Sequence, residues 1–332
     1  GSRTASAAST NYSLQNYAND VVATVRECCE PHGVAVPTLV SESGRAIASH
    51  FSVLVFNVLG RSALPSSVPA PADNEPLTVR NLRDTLAGIS SGGSGGEAGD
   101  LSRLQEAWND AIKFKDDALA AFRLGYLSLP QRAMAEQLTW ACAEAIVAQL
   151  PRSGAIPDDL RSLRAALAGT YYANLSVFRS APDTWAIEQL FPLMPIHRLE
   201  EEPTGLGHFA DLTCDSDGKL ARFISDGQAK PLLELHELRE DEPYLIGMFL
   251  AGAYQEVMGN LHNLFGSTNA VHIRLAPGGG YVLDHVVRGD TNTDVLEAME
   301  HDPELLLERL RVASEAAIQR GSLKISEAQI GR

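Results

Sequence analysis

The chain has 332 residues, 45% of them hydrophobic and 21% charged, with 27 Lys and Arg against 42 Asp and Glu for a net charge of -15. That balance excludes a nucleic-acid binder, which needs clustered cations, and suits a cationic ligand. The length allows two or three domains with a sizeable core, and no apolar run approaches the ~18 residues of a membrane span. Four cysteines, Cys28, Cys29, Cys142 and Cys214, follow no metal or disulfide spacing and fit a reducing, cytoplasmic setting.

Residues 1–10 are small and polar and read as a loop. Tyr17, Val21, Val22 and Val25 share one face of a helix expected over 14–30, which Pro31-His32-Gly33 ends. Of the adjacent thiols Cys28 and Cys29, one is expected inside and one grazing the surface. Residues 34–41 read as a short buried strand that delivers Glu42 and Arg45 to its end. Helix, strand and functional loop in this order form the closing unit of a β/α barrel, where chemistry gathers at the carboxyl ends of the strands. One unit is far short of a barrel, so the chain reads as starting part-way through that domain.

Residues 51–59 are apolar and β-branched, a strand entering the next domain. Stretches 61–76 and 90–100 are rich in Pro, Ser, Ala and Gly and read as linkers around a short helix near 79–88. Helices are expected over 101–124, 129–150 and 157–168. Short strands follow at 171–178, 207–213, 221–224, 231–235, 244–250, 270–276 and 281–287, with Pro277-Gly278-Gly279-Gly280 as a hairpin turn. So many short strands imply a compact β-barrel or sandwich. Helices return at 292–300 and 303–318, and another begins after them.

Three stretches hold the reactive side chains. In Glu42-Ser43-Gly44-Arg45 a carboxylate and a guanidinium flank a glycine, which alone also reads as a surface ion pair across a turn. Asp211 to Asp217 holds the Cys214 thiol and three carboxylates, with too few soft ligands for zinc and no EF-hand spacing. Taken alone it reads rather as a solvated acidic turn. In Ala251-Gly252-Ala253-Tyr254, the tyrosine opens a helix after a glycine-bearing strand, a place where a core tyrosine also sits. His262, in the continuation Asn260-Leu261-His262-Asn263-Leu264-Phe265-Gly266, reads as a packed histidine rather than a base.

Together these stretches resemble the motifs of fold-type III pyridoxal-phosphate decarboxylases, and more narrowly of the biosynthetic arginine decarboxylases of bacteria and plants. Thr184-Trp185-Ala186-Ile187-Glu188-Gln189-Leu190-Phe191-Pro192 and Leu212-Thr213-Cys214-Asp215-Ser216-Asp217-Gly218 are similar to that subfamily almost letter for letter. The resemblance runs from about residue 11 to beyond 306 and covers only part of such an enzyme. It implies an α+β multidomain fold. Residues 1–59 would be the end of a pyridoxal 5'-phosphate-binding β/α (TIM) barrel with a crossover strand, and 60–168 linkers plus a helical-bundle insertion. A β-barrel or sandwich domain would take 169–290, and a truncated C-terminal helical segment 291–332.

The resemblance also implies roles. Glu42 would pair with the pyridine nitrogen of pyridoxal 5'-phosphate, Gly44, Arg45 and Tyr254 would meet its phosphate, and Cys214 would return a proton to Cα after carbon dioxide leaves. Asp215 would take the guanidinium of L-arginine, the product being agmatine for polyamine synthesis. A second acid of related enzymes appears here as Leu175, so Asp183 is expected to replace it, with Glu188 as the other choice; Asp183 also reads as a helix N-cap. The Schiff-base lysine has no counterpart among Lys113, Lys115, Lys219, Lys230 and Lys324. The resemblance further implies a homo-oligomer, dimer or tetramer, with sites shared between subunits, and a possible use of Mg2+ for which no site is visible. Alternatives are a non-catalytic regulatory homologue, or a decarboxylase of this fold acting on another basic amino acid.

Overall fold

The computed structural model of the chain describes residues 12–62, 68–91, 98–151, 156–225 and 229–330. Helix α1 (Leu14–Cys29) starts where the Ser13 hydroxyl accepts from the Asn16 amide, and Gly33 at φ 62° turns the chain away after it. None of its residues is buried. Cys28 is exposed and Cys29 half-buried, so neither thiol is inside. Residues 34–41 form neither strand nor helix, and Val40 is 91% exposed. Apolar side chains signalled burial there, yet among the described residues no strand lies beside them to take their backbone hydrogen bonds. A short helix, α2 (Gly44–Ala48), follows directly.

Strand β1 (Leu54–Ser62) then enters the centre of a sheet, after which the chain leaves to build a helical bundle. Helices α3 (Leu77–Ser91), α4 (Ala98–Arg123) and α5 (Leu129–Gln149) pack on one another, and α6 (Asp158–Ala166) packs against α5. Leu82, Ile89, Leu104, Leu138, Cys142, Ile146 and Leu160 fill the space between them, at about 1.5–3 kcal/mol for each large apolar side chain removed from water. The helix expected over 79–88 is therefore longer and part of this bundle. Arg83 on α3 holds the incoming segment, donating to the Pro69 and Ala70 carbonyls and to both oxygens of Glu75.

The chain re-enters the sheet through β2 (Gly169–Ala173), then passes two single-turn helices, α7 (Val177–Ser180) and α8 (Asp183–Ala186). Strands β3 (Leu193–Pro195), β4 (Gly205–Ala210), β5 (Lys219–Leu220), β6 (Leu233–Leu235) and β7 (Tyr244–Met248) complete it. The order is β3-β7-β1-β2-β4-β5, with β6 also paired to β4; β2 and β4 run parallel and the other pairs antiparallel. Among the described residues no pairing closes this sheet on itself. Its core gathers Phe56, Tyr171, Phe209, Phe223, Tyr244, Ile246 and Met248, with Phe56 edge-on to Phe209 at 5.4 Å.

Several expected strands are shorter: β2 stops before α7, β4 stops before Asp211, and 221–224 gives one bridge, Phe223 to Lys230. After α9 (Gln255–Met258), β8 (Ala270–Leu275) and β9 (Tyr281–Val287) pair, among the described residues, only with each other, through a turn in which Gly278, Gly279 and Gly280 all have positive φ. The tail holds α10 (Asn292–Ala298), capped by Thr291 and Asp294, then α11 (Pro303–Gln319) and α12 (Ile325–Ile330). Among the described residues no helix is long and apolar enough to cross a membrane.

Candidate functional site

Two contacts bring α2 against the segment leaving β7. The Gly252 amide donates to the Ser49 carbonyl at 3.1 Å and the Ala251 amide to the Ser52 carbonyl at 3.2 Å. The approach is close enough that a Cβ on Gly252 would stand 2.1 Å from the Ala48 carbonyl oxygen. This lock delivers Tyr254, at φ 71°, to the start of α2. A Cβ on Gly44 would lie 2.8 Å from the Tyr254 hydroxyl, and the Arg45 guanidinium carbon is 5.2 Å from the Tyr254 ring centroid. Gly44, Arg45 and Tyr254 therefore converge on one patch of half-open surface.

Behind that patch sits a buried acid. Asp183, 5% exposed, accepts from Arg45 Nη2 at 2.5 Å and from Gln255 Nε2 at 2.7 Å, both on Oδ2. Gln255, 2% exposed, also accepts from the Asp183 amide at 3.2 Å and donates to the Ala253 carbonyl at 2.8 Å. Asp183, expected to meet a substrate guanidinium, holds the guanidinium of Arg45 in this structure. Glu188, the other choice, pairs with Arg222 on the surface. Glu42 is exposed and has no hydrogen bond or ion pair among the described residues.

The cysteine loop is built on Asp211. Its buried carboxylate accepts from the amides of Val177 and Thr213, each at 2.8 Å, and from the Thr213 hydroxyl at 2.7 Å. The Leu212 amide donates to the carbonyl of Leu175, whose buried side chain packs in the core. Asp215 then makes its own turn, its Oδ1 accepting from the Asp217 amide at 2.9 Å. Cys214 and Asp215 are left exposed at the tip.

The side chain of Asn263 reaches that tip: at φ 55°, it places Nδ2 3.4 Å from Cys214 Sγ. The Asn263 segment is held in turn by Arg179 of α7, which donates to the carbonyls of Glu256 and Gly259 and to the Ser267 hydroxyl. His262 packs against Phe178, the rings tilted at 44° with centroids 4.3 Å apart. The structure thus forms two groups, Gly44–Arg45–Asp183–Tyr254–Gln255 and Cys214–Asn263, joined in sequence by the segment 255–263. Gln255 and Asn263 lie inside a stretch already singled out by sequence, but nothing in their spacing announces these partners.

Among the described residues, none of the five lysines touches either group: Lys115 pairs with Asp116, Lys230 with Glu234, and Lys113 lies by Phe114. Nor do three or more His, Cys, Asp or Glu gather as a metal site among those residues.

Residues 72–164 match the arginine decarboxylase helical bundle domain. Over 98% of its length the chain is 77% identical to a biosynthetic arginine decarboxylase of Prochlorococcus marinus (strain MIT 9303), covering 50% of that protein. It is 72% identical over 99% of its length to the enzyme of the same name from Synechococcus sp. (strain RCC307), again 50% of the relative. A crystal structure of the biosynthetic arginine decarboxylase from Campylobacter jejuni superposes with a TM-score of 0.72 at 32% identity, covering 90% of this chain and 47% of that one. The chain spans about half the length of the curated relatives it matches.

Proposed function

On the premise that this chain is a portion of the biosynthetic arginine decarboxylase family, we propose that it forms part of a pyridoxal 5'-phosphate-dependent carboxy-lyase converting L-arginine to agmatine and carbon dioxide. One observation of the structure carries this reading. A glycine backbone in close approach, a guanidinium and a phenol hydroxyl meet at Gly44, Arg45 and Tyr254, a donor set that suits a phosphate. Glu42, exposed and without a partner among the described residues, stands just before α2, where it can face a pyridine nitrogen and keep it protonated. The cofactor, when bound, supplies the electron sink for the bond to the departing carboxylate.

The chain's own residues do the rest. Asp215 offers a carboxylate whose two oxygens can accept parallel hydrogen bonds from the substrate guanidinium. Cys214, held by Asn263, stores the proton that Cα needs once carbon dioxide has left. The lysine that anchors the cofactor would lie in the half of the relatives' length that this chain does not span, and the site would be completed in a homo-oligomer.

The test is made on the full-length protein with arginine, ornithine and lysine as competing substrates. Arginine is expected to yield agmatine and carbon dioxide in equal amounts. Cys214→Ala is expected to lower agmatine formation about a hundredfold, with carbon dioxide released in excess of agmatine. Absence of agmatine from the unaltered protein, or a preference for another amino acid, overturns the assignment.

A further inference from the structure

We infer that Asp183 and Gln255 are positioning residues for the cofactor phosphate, acting through Arg45 and not by touching substrate. The inference rests on the phosphate role proposed for Arg45 and goes beyond it, by naming what aims that guanidinium.

An arginine on a short surface helix has many rotamers, and α2 has only five residues to steady it. Here one end of the guanidinium is fixed. Nη2 meets Asp183 Oδ2 at 2.5 Å and the guanidinium carbon is 5.2 Å from the Tyr254 ring centroid, while Nε and Nη1 have no hydrogen-bond partner among the described residues. Asp183 cannot turn away, because Gln255 donates to the same oxygen and accepts from the Asp183 amide. Gln255 is itself fixed by the Ala253 carbonyl and follows Tyr254 directly in sequence. The chain Ala253–Gln255–Asp183–Arg45 therefore ties both phosphate-facing side chains to one buried unit.

Two opposing effects decide the sign of a substitution. The Asp183 carboxylate offsets part of the Arg45 charge, which weakens attraction for an anion. It also removes the orientation cost of the guanidinium, and a fixed fork loses less entropy for each hydrogen bond formed. Replacement by asparagine separates them, since a single amide oxygen can accept from both Arg45 and Gln255 while the charge is gone.

The experiment measures equilibrium binding of pyridoxal 5'-phosphate, and of pyridoxal without the phosphate, to the full-length apoprotein. Asp183→Ala is expected to weaken the phosphorylated ligand by about tenfold or more. The unphosphorylated ligand should change little, and Asp183→Asn should restore most of the loss. In an Arg45→Gln background Asp183→Ala should cost nothing further. If Asp183→Ala does not fold, Gln255→Leu serves in its place and should show a smaller loss with the same selectivity. Equal weakening of both ligands would make Asp183 a packing residue. An unchanged phosphate affinity with a raised KM for arginine would make it a substrate ligand. Either result overturns the inference, whereas failure of the unaltered protein to bind pyridoxal 5'-phosphate would instead reject the function proposed above.

Discussion

The carboxamide of Asn263 lies against the thiol of Cys214, Nδ2 3.4 Å from Sγ, joining two loops 49 residues apart. The amide fixes where the sulfur stands. Asn263→Asp keeps a residue that tolerates the left-handed backbone at φ 55° but replaces the donor by a negative charge. Alkylation of Cys214 by iodoacetamide, followed by mass spectrometry on its peptide, should slow several-fold in this variant. Cys142, whose thiol burial pushes up to about 12, should stay unlabelled as an internal control. An unchanged rate at Cys214 would make the contact incidental.

Much of the bundle was legible because helices announce themselves by local periodicity: Leu138, Cys142 and Ile146 repeat at helical spacing and all three are buried. Strands gave less, since their partners are remote. The edge strand β3 is three residues ending in Pro195, too short for any alternation to be seen. Residues 34–41 carry the apolar run of a strand, yet apolarity reports that a segment wants cover and not that a ladder stands beside it. The site followed the same division. Gly44, Arg45 and Cys214 stood in recognisable motifs, while the Arg45–Asp183 pair spans 138 residues and only the folded chain displays it.

The Gly44–Tyr254 approach gives a second prediction. A Cβ on Gly44 would come 2.8 Å from the Tyr254 hydroxyl, the free end of a side chain that is half exposed and can swing aside. Gly44→Ala should therefore fold with a melting temperature within a few degrees of the unaltered protein. Its affinity for pyridoxal 5'-phosphate should fall about tenfold, because both the backbone approach and the hydroxyl are displaced. Unaltered affinity would remove Gly44 and Tyr254 from the phosphate cradle.

Acid sensitivity of the bundle follows from Glu75. The Arg83 guanidinium, hydrogen-bonded to both of its oxygens, holds the Glu75 carboxyl below the usual range. A depressed folded value means stability that is present above the unfolded value of about 4.3 and is lost as pH falls through the folded one. Glu75→Gln should thus lower the melting temperature by a few degrees at pH 7, with the gap closing as pH drops below about 4. A gap independent of pH, measured by calorimetry at pH 7, 5 and 3.5, would assign the effect to packing.

The last prediction concerns which subunit Cys214 serves. Cys214 and Asp215 stand exposed at a loop tip, on a group separate from the one around Arg45, so a partner's site is open to them in a two-fold assembly. Consider full-length Cys214→Ala protein mixed with protein lacking the anchoring lysine, each nearly inactive by itself. After dissociation and random reassociation about half of the dimers are mixed, and in each of these one of the two sites has both groups intact. Decarboxylation should recover to about a quarter of the unaltered rate, with agmatine as product. If each site is built within one chain, no mixed dimer can hold lysine and thiol together. Absence of recovery, with subunit exchange demonstrated by native mass spectrometry, would place Cys214 in its own subunit's site.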